Sequence, residues 1–442
     1  MNRRVLLVAY YFPPFGLSGV QRVSKFMKYL PDYGWDVSVL TVKPGSYFAY
    51  DSSLLQDVER PGVAIHRTVS LDPTRLFPQR EVGMPGERSR RWFSRISQFL
   101  FQPDNKIGWY PFAVKQGKRI LADLAHDAIL SSAPPYTGHI IAAKLSNLSG
   151  LPLILDYRDD WIDNPRHSYP SNWHKKRAQV QEQRVLSLAK SVVTINAVIQ
   201  AKIKSRVKSS SNGPTHHVIP HGFDPEDFRD SRPPAHLIGA DSPRMNLFYG
   251  GIFYDAQQPD TFLRGLRLFL DQFPMARTRV VATFVGFLTD TATELITSLS
   301  LTDVVDYRGY MTHEDSIQEL RKADVLWMTI GDQPGSDGIS TGKLYEYFGS
   351  RKPILGLVPD GEARKSLLEY GASRVVRPDD IDGVAAAIKE LFVQWDSGKL
   401  PTPSDTFVML FSRKRLAAEL ANILNDSIVS HKNSKALIDH PD

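Results

Sequence analysis

Residues Gly335 to Tyr347 read Gly-Ser-Asp-Gly-Ile-Ser-Thr-Gly-Lys-Leu-Tyr-Glu-Tyr and combine glycines, hydroxyls, a lysine and a carboxylate in one short span. A polar, glycine-containing loop there leads into a helix, with Ser340 or Thr341 as its cap. Lys343 then falls in the first turn, where the helix dipole disfavours a cation. A bound anion removes that conflict. Glu346, three residues on, carries a carboxylate that can accept two hydroxyls of a ribose. The plainer reading is a surface capping motif with a solvated Lys343 and Glu346. The run Thr341-Gly342-Lys343 is not a nucleoside-triphosphate P-loop. That pattern requires Ser or Thr where Leu344 stands and Gly where Asp337 stands.

A second candidate is Tyr11 to Arg22, in which Gly16 and Gly19 lie between an apolar run and a helical pattern. The glycines permit positive φ and close backbone approach, free N–H groups at the helix start favour an anion, and Arg22 adds charge. A plain strand-to-helix turn is the other reading. A third is Leu155-Asp156-Tyr157-Arg158-Asp159-Asp160-Trp161, at the end of an apolar run. Asp159 and Asp160 suit helix capping or pairing with Arg158, contact with an acceptor hydroxyl, or a metal ion, the last least favoured. The histidines lack zinc-ligand spacing, and His139 reads as a surface residue before an acceptor contact.

These segments need elements to hold them. Apolar runs of strand length alternate with helical patterns, from Val5–Tyr10 through Val192–Ile195 and again from Met245–Tyr249 to Arg374–Val376. Short apolar runs separated by helices predict parallel strands buried on both faces. The two series predict two doubly wound α/β domains, 1–222 and 245–411, with a Pro-containing linker at 223–244. A last helix is expected at 412–425 and a disordered polar tail at 426–442.

The chain has 442 residues, 42% hydrophobic and 23% charged, which fits soluble globular domains and excludes disorder over most of its length. The absence of cysteine removes disulfides, thiolate catalysis and Cys-ligated metal. No apolar window is long enough to span a bilayer, and the start lacks a cleavage site, so a cytoplasmic protein is expected. The net charge of +6 is uneven: residues 75–119 hold ten basic and three acidic groups. Within them, residues 88–101 place Trp92, Phe93, Ile96, Phe99 and Leu100 at helical spacing and Arg88, Arg91 and Arg95 on another face. That pattern suits either an anionic membrane surface or an ordinary buried helix, and no nucleic-acid motif accompanies it.

Over about residues 3–424 the chain resembles the GT-B-fold glycosyltransferases of the family 4 type, a retaining, sugar-nucleotide-dependent group. The resemblance rests on Tyr10 to Arg22, on Val218-Ile219-Pro220-His221-Gly222-Phe223-Asp224, on Phe248-Tyr249-Gly250-Gly251, and on Thr341 to Tyr347 followed by Pro353-Ile354-Leu355. It implies two Rossmann-like domains facing across a cleft, the first for the acceptor and the second for the donor nucleotide, with the last helix, around Arg413 to Leu424, packing near the first domain. It implies that Glu346 holds the donor ribose. The backbone of Gly338, Ser340, Thr341 and Gly342 would approach the sugar and diphosphate. Gly251 lies in the donor-domain glycine turn, and Gly16 and Gly19 would face the diphosphate. Gly338 stands where the first Glu of the family's Glu-x7-Glu motif is usual, and Ile252 and Gln257 stand where its Arg and Lys are usual. Lys343, Arg22 and helix N-termini would then supply the positive charge that a diphosphate leaving group needs, and Asp159 would face the acceptor.

The function this implies is hexosyl transfer from a nucleotide sugar to a saccharide or lipid-linked acceptor, as in polysaccharide biosynthesis. No cofactor, no metal and no nucleic acid are expected, and residues 88–101 would hold the chain at the inner face of the membrane. The alternatives are a sugar-nucleotide 2-epimerase and a non-catalytic binding protein on the same scaffold.

Overall fold

The computed structural model describes residues 2–16, 18–47, 49–75, 97–164, 169–207, 213–229, 243–253 and 256–439. The chain divides into two compact units, residues 1–220 with 413–442, and residues 221–412.

The first unit is built on a seven-stranded sheet: β1 (Arg3–Val8), β2 (Trp35–Val42), β3 (Val63–Thr68), β4 (Ala128–Ala133), β5 (Leu153–Tyr157), β6 (Ala189–Thr194) and β7 (Thr215–Val218). Its order is β3-β2-β1-β4-β5-β6-β7, and every pairing is parallel. Alternate residues of β1 show why the strands are apolar throughout. Leu6 and Val8 enter one core with Ile129, Ile141 and Leu155, while Val5 and Leu7 enter another with Phe26, Val37 and Leu420. A strand covered on both faces cannot alternate apolar with polar residues.

The second unit repeats the plan with β8 (Met245–Ile252), β9 (Val280–Phe287), β10 (Val305–Tyr307), β11 (Val325–Thr329), β12 (Ile354–Leu357) and β13 (Ser373–Val376). The order is β10-β9-β8-β11-β12-β13, again parallel. Leu247 and Tyr249 face one core and Phe248 the other. In both sheets the strand order reverses beside the first strand, between β1 and β4 and between β8 and β11. Open α/β sheets bind ligands in the crevice beyond the carboxyl ends of strands at this point.

Two sequence expectations about the connections need correction. Residues 223–244 are not a bare linker throughout: Phe223 and Asp224 are buried, and a 3-10 turn, Pro225–Phe228, follows. The Phe223 N–H donates to the Phe411 carbonyl at 3.0 Å. The remainder of that linker, 230–242, lies outside the described residues.

The expected disordered tail is corrected as far as Asp439; residues 440–442 lie outside the described residues. The last helix runs Arg413–Asp439, and Ser427 and Ile428 are buried. Leu416, Leu420, Leu424 and Ile428 of this helix complete the second core of the first unit, and the Ser427 hydroxyl meets that of Ser191 at 2.8 Å. Its apolar residues recur at helical spacing among polar ones, which conceals them in a composition reading. Among the described residues no helix is long and apolar enough to cross a membrane. Most of the basic segment 88–101 lies outside the described residues.

Candidate functional site

In the second unit the expected residues gather where β8 and β11 diverge. After β11 the chain makes a 3-10 turn, Ser336–Gly338, and then enters helix Gly342–Ser350 with Thr341 at its N-cap position. Thr341 has the extended backbone of a cap, yet its side chain caps nothing. Its Oγ1 is buried and, among the described residues, has no hydrogen-bond partner. Ser340 is taken by the Tyr345 hydroxyl at 2.8 Å. The expected side-chain cap from Thr341 is therefore absent, and among the described residues no side chain is seen to accept from the N–H groups of the first turn.

Lys343 bends back to this point. Its ammonium lies 3.4 Å from the centroid of the Tyr249 ring. It also abuts Gly251, where a Cβ would fall 2.7 Å from Nζ. Gly251 has φ 141°, a conformation that L side chains rarely adopt, and a Cβ there would make the lysine shift. The residue as a whole is part-exposed, and its ammonium lies against the Tyr249 ring and Gly251. Desolvation pushes its pKa down to about 7, with Glu346 opposing the shift. The turn that lacks the usual Arg and Lys thus receives its cation from the helix after β11.

Glu346 accepts from His313 Nε2 at 2.9 Å when that nitrogen is protonated. The Gly250 N–H donates to the Tyr347 hydroxyl at 3.1 Å, tying β8 to the same helix. Gly338 is buried and Asp337 exposed, its backbone against Gly361. Three partners escaped sequence reasoning: Tyr249, His313 and Tyr347. Tyr249 sits in the Phe-Tyr-Gly-Gly run but carries no local sign that it would lie under a lysine.

The first unit holds the remaining candidates, and here several expectations fail. Neither Gly16 nor Gly19 adopts positive φ. The Gly16 N–H is committed to the Ala49 carbonyl at 2.9 Å. The Gly19 carbonyl accepts from Arg158. Arg22 is wholly buried, and its guanidinium is spent within the first unit. Its guanidinium holds Asp156 at 2.8 and 3.1 Å and donates to the carbonyls of Ile219 and Pro220 at 3.0 and 2.8 Å. Burial alone would raise the Asp156 carboxyl. Arg22 and the Ser132 hydroxyl outweigh that and bring its pKa below the ordinary value.

Arg158 pairs with neither Asp159 nor Asp160. It donates to the carbonyls of Gly19, Ala133 and Pro134, joining the loops after β1 and β4. Asp160 is gripped by Arg206 at 2.6 and 2.8 Å and accepts the N–H groups of Ile162 and Asp163. Arg206 also bonds Glu182 at 3.2 Å and Asp163 at 2.9 Å. With both neighbours committed, Asp159 is the part-exposed carboxylate of this turn. The Tyr136 hydroxyl fixes its backbone at 3.2 Å. His139 is fully buried rather than on the surface. Its Nδ1 meets the Ser131 hydroxyl at 2.9 Å, and burial pushes its pKa down to about 3. Among the described residues no group of three or more His, Asp or Glu could hold a metal ion.

Residues 19–221 match the family model of the glycosyl transferase 4-like domain. Solved structures extend the likeness over both units and show the GT-B fold. Sucrose-phosphate synthase from Thermosynechococcus elongatus shares 14% identity over 97% of this chain and 100% of its own, with a TM-score of 0.67. Trehalose-phosphate synthase from Burkholderia xenovorans, solved with glucose-6-phosphate, shares 12% over 96% and 100%, with a TM-score of 0.61. HepE from Anabaena, solved with UDP and glucose, shares 15% over 98% and 100%, with a TM-score of 0.59. No curated protein sequence matches this chain. The glycosyl transferase 4-like match ends at residue 221, where the second unit begins.

Proposed function

We propose that this chain is a retaining glycosyltransferase that moves a hexose from a nucleotide sugar to a saccharide or lipid-linked acceptor. The observation that carries this reading is the arrangement at the start of helix Gly342–Ser350. An uncapped first turn, a buried Thr341 hydroxyl without a partner and a desolvated Lys343 ammonium all lack the same thing, an anion. A diphosphate supplies it. Glu346, one turn further, then receives the ribose hydroxyls. HepE was solved with UDP and glucose, which supports a nucleotide sugar as the ligand.

In the proposed reaction the bond from the sugar C1 to the diphosphate oxygen breaks as the acceptor oxygen attacks the same face. The departing diphosphate takes the acceptor proton, and Lys343 with the helix N-terminus neutralises the charge that develops. The backbone of Gly338 to Gly342 approaches the sugar and diphosphate, and Asp159 contacts the acceptor. No metal or further cofactor enters the proposal, because the positive charge comes from the chain. Residues 88–101 are proposed to keep the protein at an anionic membrane surface where a lipid-linked acceptor resides.

The test is release of nucleoside diphosphate from UDP-, GDP- and dTDP-sugars, with and without saccharide and lipid-linked acceptors. Acceptor-dependent release that is lost in Lys343→Met and Glu346→Ala supports the proposal. Turnover that survives both substitutions overturns it. Conversion of the nucleotide sugar without an acceptor points to the epimerase.

A further inference from the structure

Helix Asn172–Leu188 shows a feature that the proposed reaction does not use. At about 100° per residue, Trp173, Lys176, Arg177, Val180, Arg184 and Leu188 fall within an arc of about 120°. All six are exposed, the apolar ones substantially: Trp173 59%, Val180 46%, Leu188 44%. The helix has a single acidic residue, Glu182, which lies on the opposite face, buried against Arg206. Asp163 is nearby but pairs with Lys175 and Arg206, which are not on this stripe. Among the described residues, Lys176, Arg177 and Arg184 pair with no carboxylate; Arg177 lies over the Trp173 ring at 5.3 Å. The first turn has no acidic residue, and Lys175 and Lys176 follow it closely, a charge order the helix dipole opposes.

The apolar part continues beyond the helix. The His174 ring contacts Trp173 at 4.9 Å on one side and Phe99 at 5.3 Å on the other. Phe99 and Leu100 are 62% and 64% exposed. An indole, a phenyl ring and aliphatic side chains thus stand among three unpaired cations with no carboxylate in the stripe. Aromatic rings settle at the headgroup level of a bilayer, and cations are drawn to anionic lipid.

We infer that the outward face of helix Asn172–Leu188, with Phe99 and Leu100, is a docking surface for an anionic lipid bilayer. This deepens the membrane-peripheral part of the proposed function and rests on it, but it assigns the contact to different residues from 88–95.

The test is co-sedimentation of the full chain with phosphatidylcholine vesicles, with and without phosphatidylglycerol. The wild type should pellet with the anionic vesicles and be released by salt. Each surface cation is worth roughly a fivefold factor in partitioning. The triple variant Lys176→Ser, Arg177→Ser, Arg184→Ser should therefore partition about a hundredfold more weakly, with its thermal unfolding unchanged. The part of the emission lost in Trp173→Phe should shift to the blue on binding. Unchanged partitioning of the triple variant, or equal binding to neutral vesicles, overturns the inference. If the triple variant binds normally while Arg88→Ser, Arg91→Ser, Arg95→Ser does not, membrane association stands and this face is excluded from it. Retention on heparin without vesicle binding also overturns it, and marks the stripe as a site for a soluble polyanion. Nucleotide-sugar turnover with a soluble acceptor should be the same in the triple variant as in the wild type.

Discussion

Lys343 links protonation to ligand binding. With its pKa pushed down to about 7 by desolvation, a growing fraction is neutral as the pH rises. A diphosphate stabilises the charged form, so binding above pH 7 must be accompanied by proton uptake. Affinity for a nucleotide sugar should fall with rising pH above about 7, by at most about tenfold per unit. A nucleotide sugar suits this titration because its esterified diphosphate does not ionise near neutrality. Calorimetry in buffers of different ionisation enthalpy should show the uptake, and Lys343→Met should bind weakly with a flat profile. Glu346→Ala should raise the donor KM about tenfold or more, the scale of a charge-assisted hydrogen bond. His313→Ala should have a smaller effect in steady-state kinetics, because it acts on the donor through Glu346. Lys343 was legible in the sequence because its conflict with the helix dipole is local. His313 was not, since it reaches Glu346 from 33 residues away through the packing of two helices on one sheet.

At the scale of elements, Arg22 was read as a ligand contact because a cation in a first turn after a glycine loop suggests one. The structure uses it to hold the ends of β5 and of the segment after β7 to the helix after β1. Sequence shows the residue and its turn, but not that Asp156, 134 positions on, ends the strand two places away in the sheet. Arg22→Met leaves a buried carboxylate without its partner, and should cost about 3–5 kcal/mol in urea unfolding. The Asp156 pKa is lower in the folded state than its ordinary 3.8. Its contribution is therefore complete above that value and is lost as the pH falls through the folded pKa. The wild type should lose stability over that acid range more steeply than Asp156→Asn. The βα alternation itself was legible, because strands buried on both faces leave continuous apolar runs such as Val5 to Val8. The edge strand Thr215–Val218, polar and half-exposed, offered no such run.

For the whole molecule, two βα series were readable from the sequence, and the resemblance implied that the last helix packs near the first domain, where the structure has it; how far that helix runs past Asn425 was not readable. Polar residues outnumber apolar ones beyond Asn425, and only the spacing of Ser427 and Ile428 with Leu420 and Leu424 places them on one buried face. A chain ended after Ser412 uncovers Phe26, Leu30 and their neighbours on β1 and β2. It should lose the unfolding transition of the first unit, or fail to accumulate in soluble form, as followed by circular dichroism and expression level.

Because helix Arg413–Asp439 seals a core that begins at Val5, the ribosome must deliver all of residues 221–412 before that core can close. Nascent chains commonly acquire structure from the amino end onward; this one is obliged to finish its middle first. In a series of stalled translation products, protease resistance should arise in residues 221–412 before it arises in residues 1–220, and the waiting apolar face marks the interval in which a chaperone has something to hold.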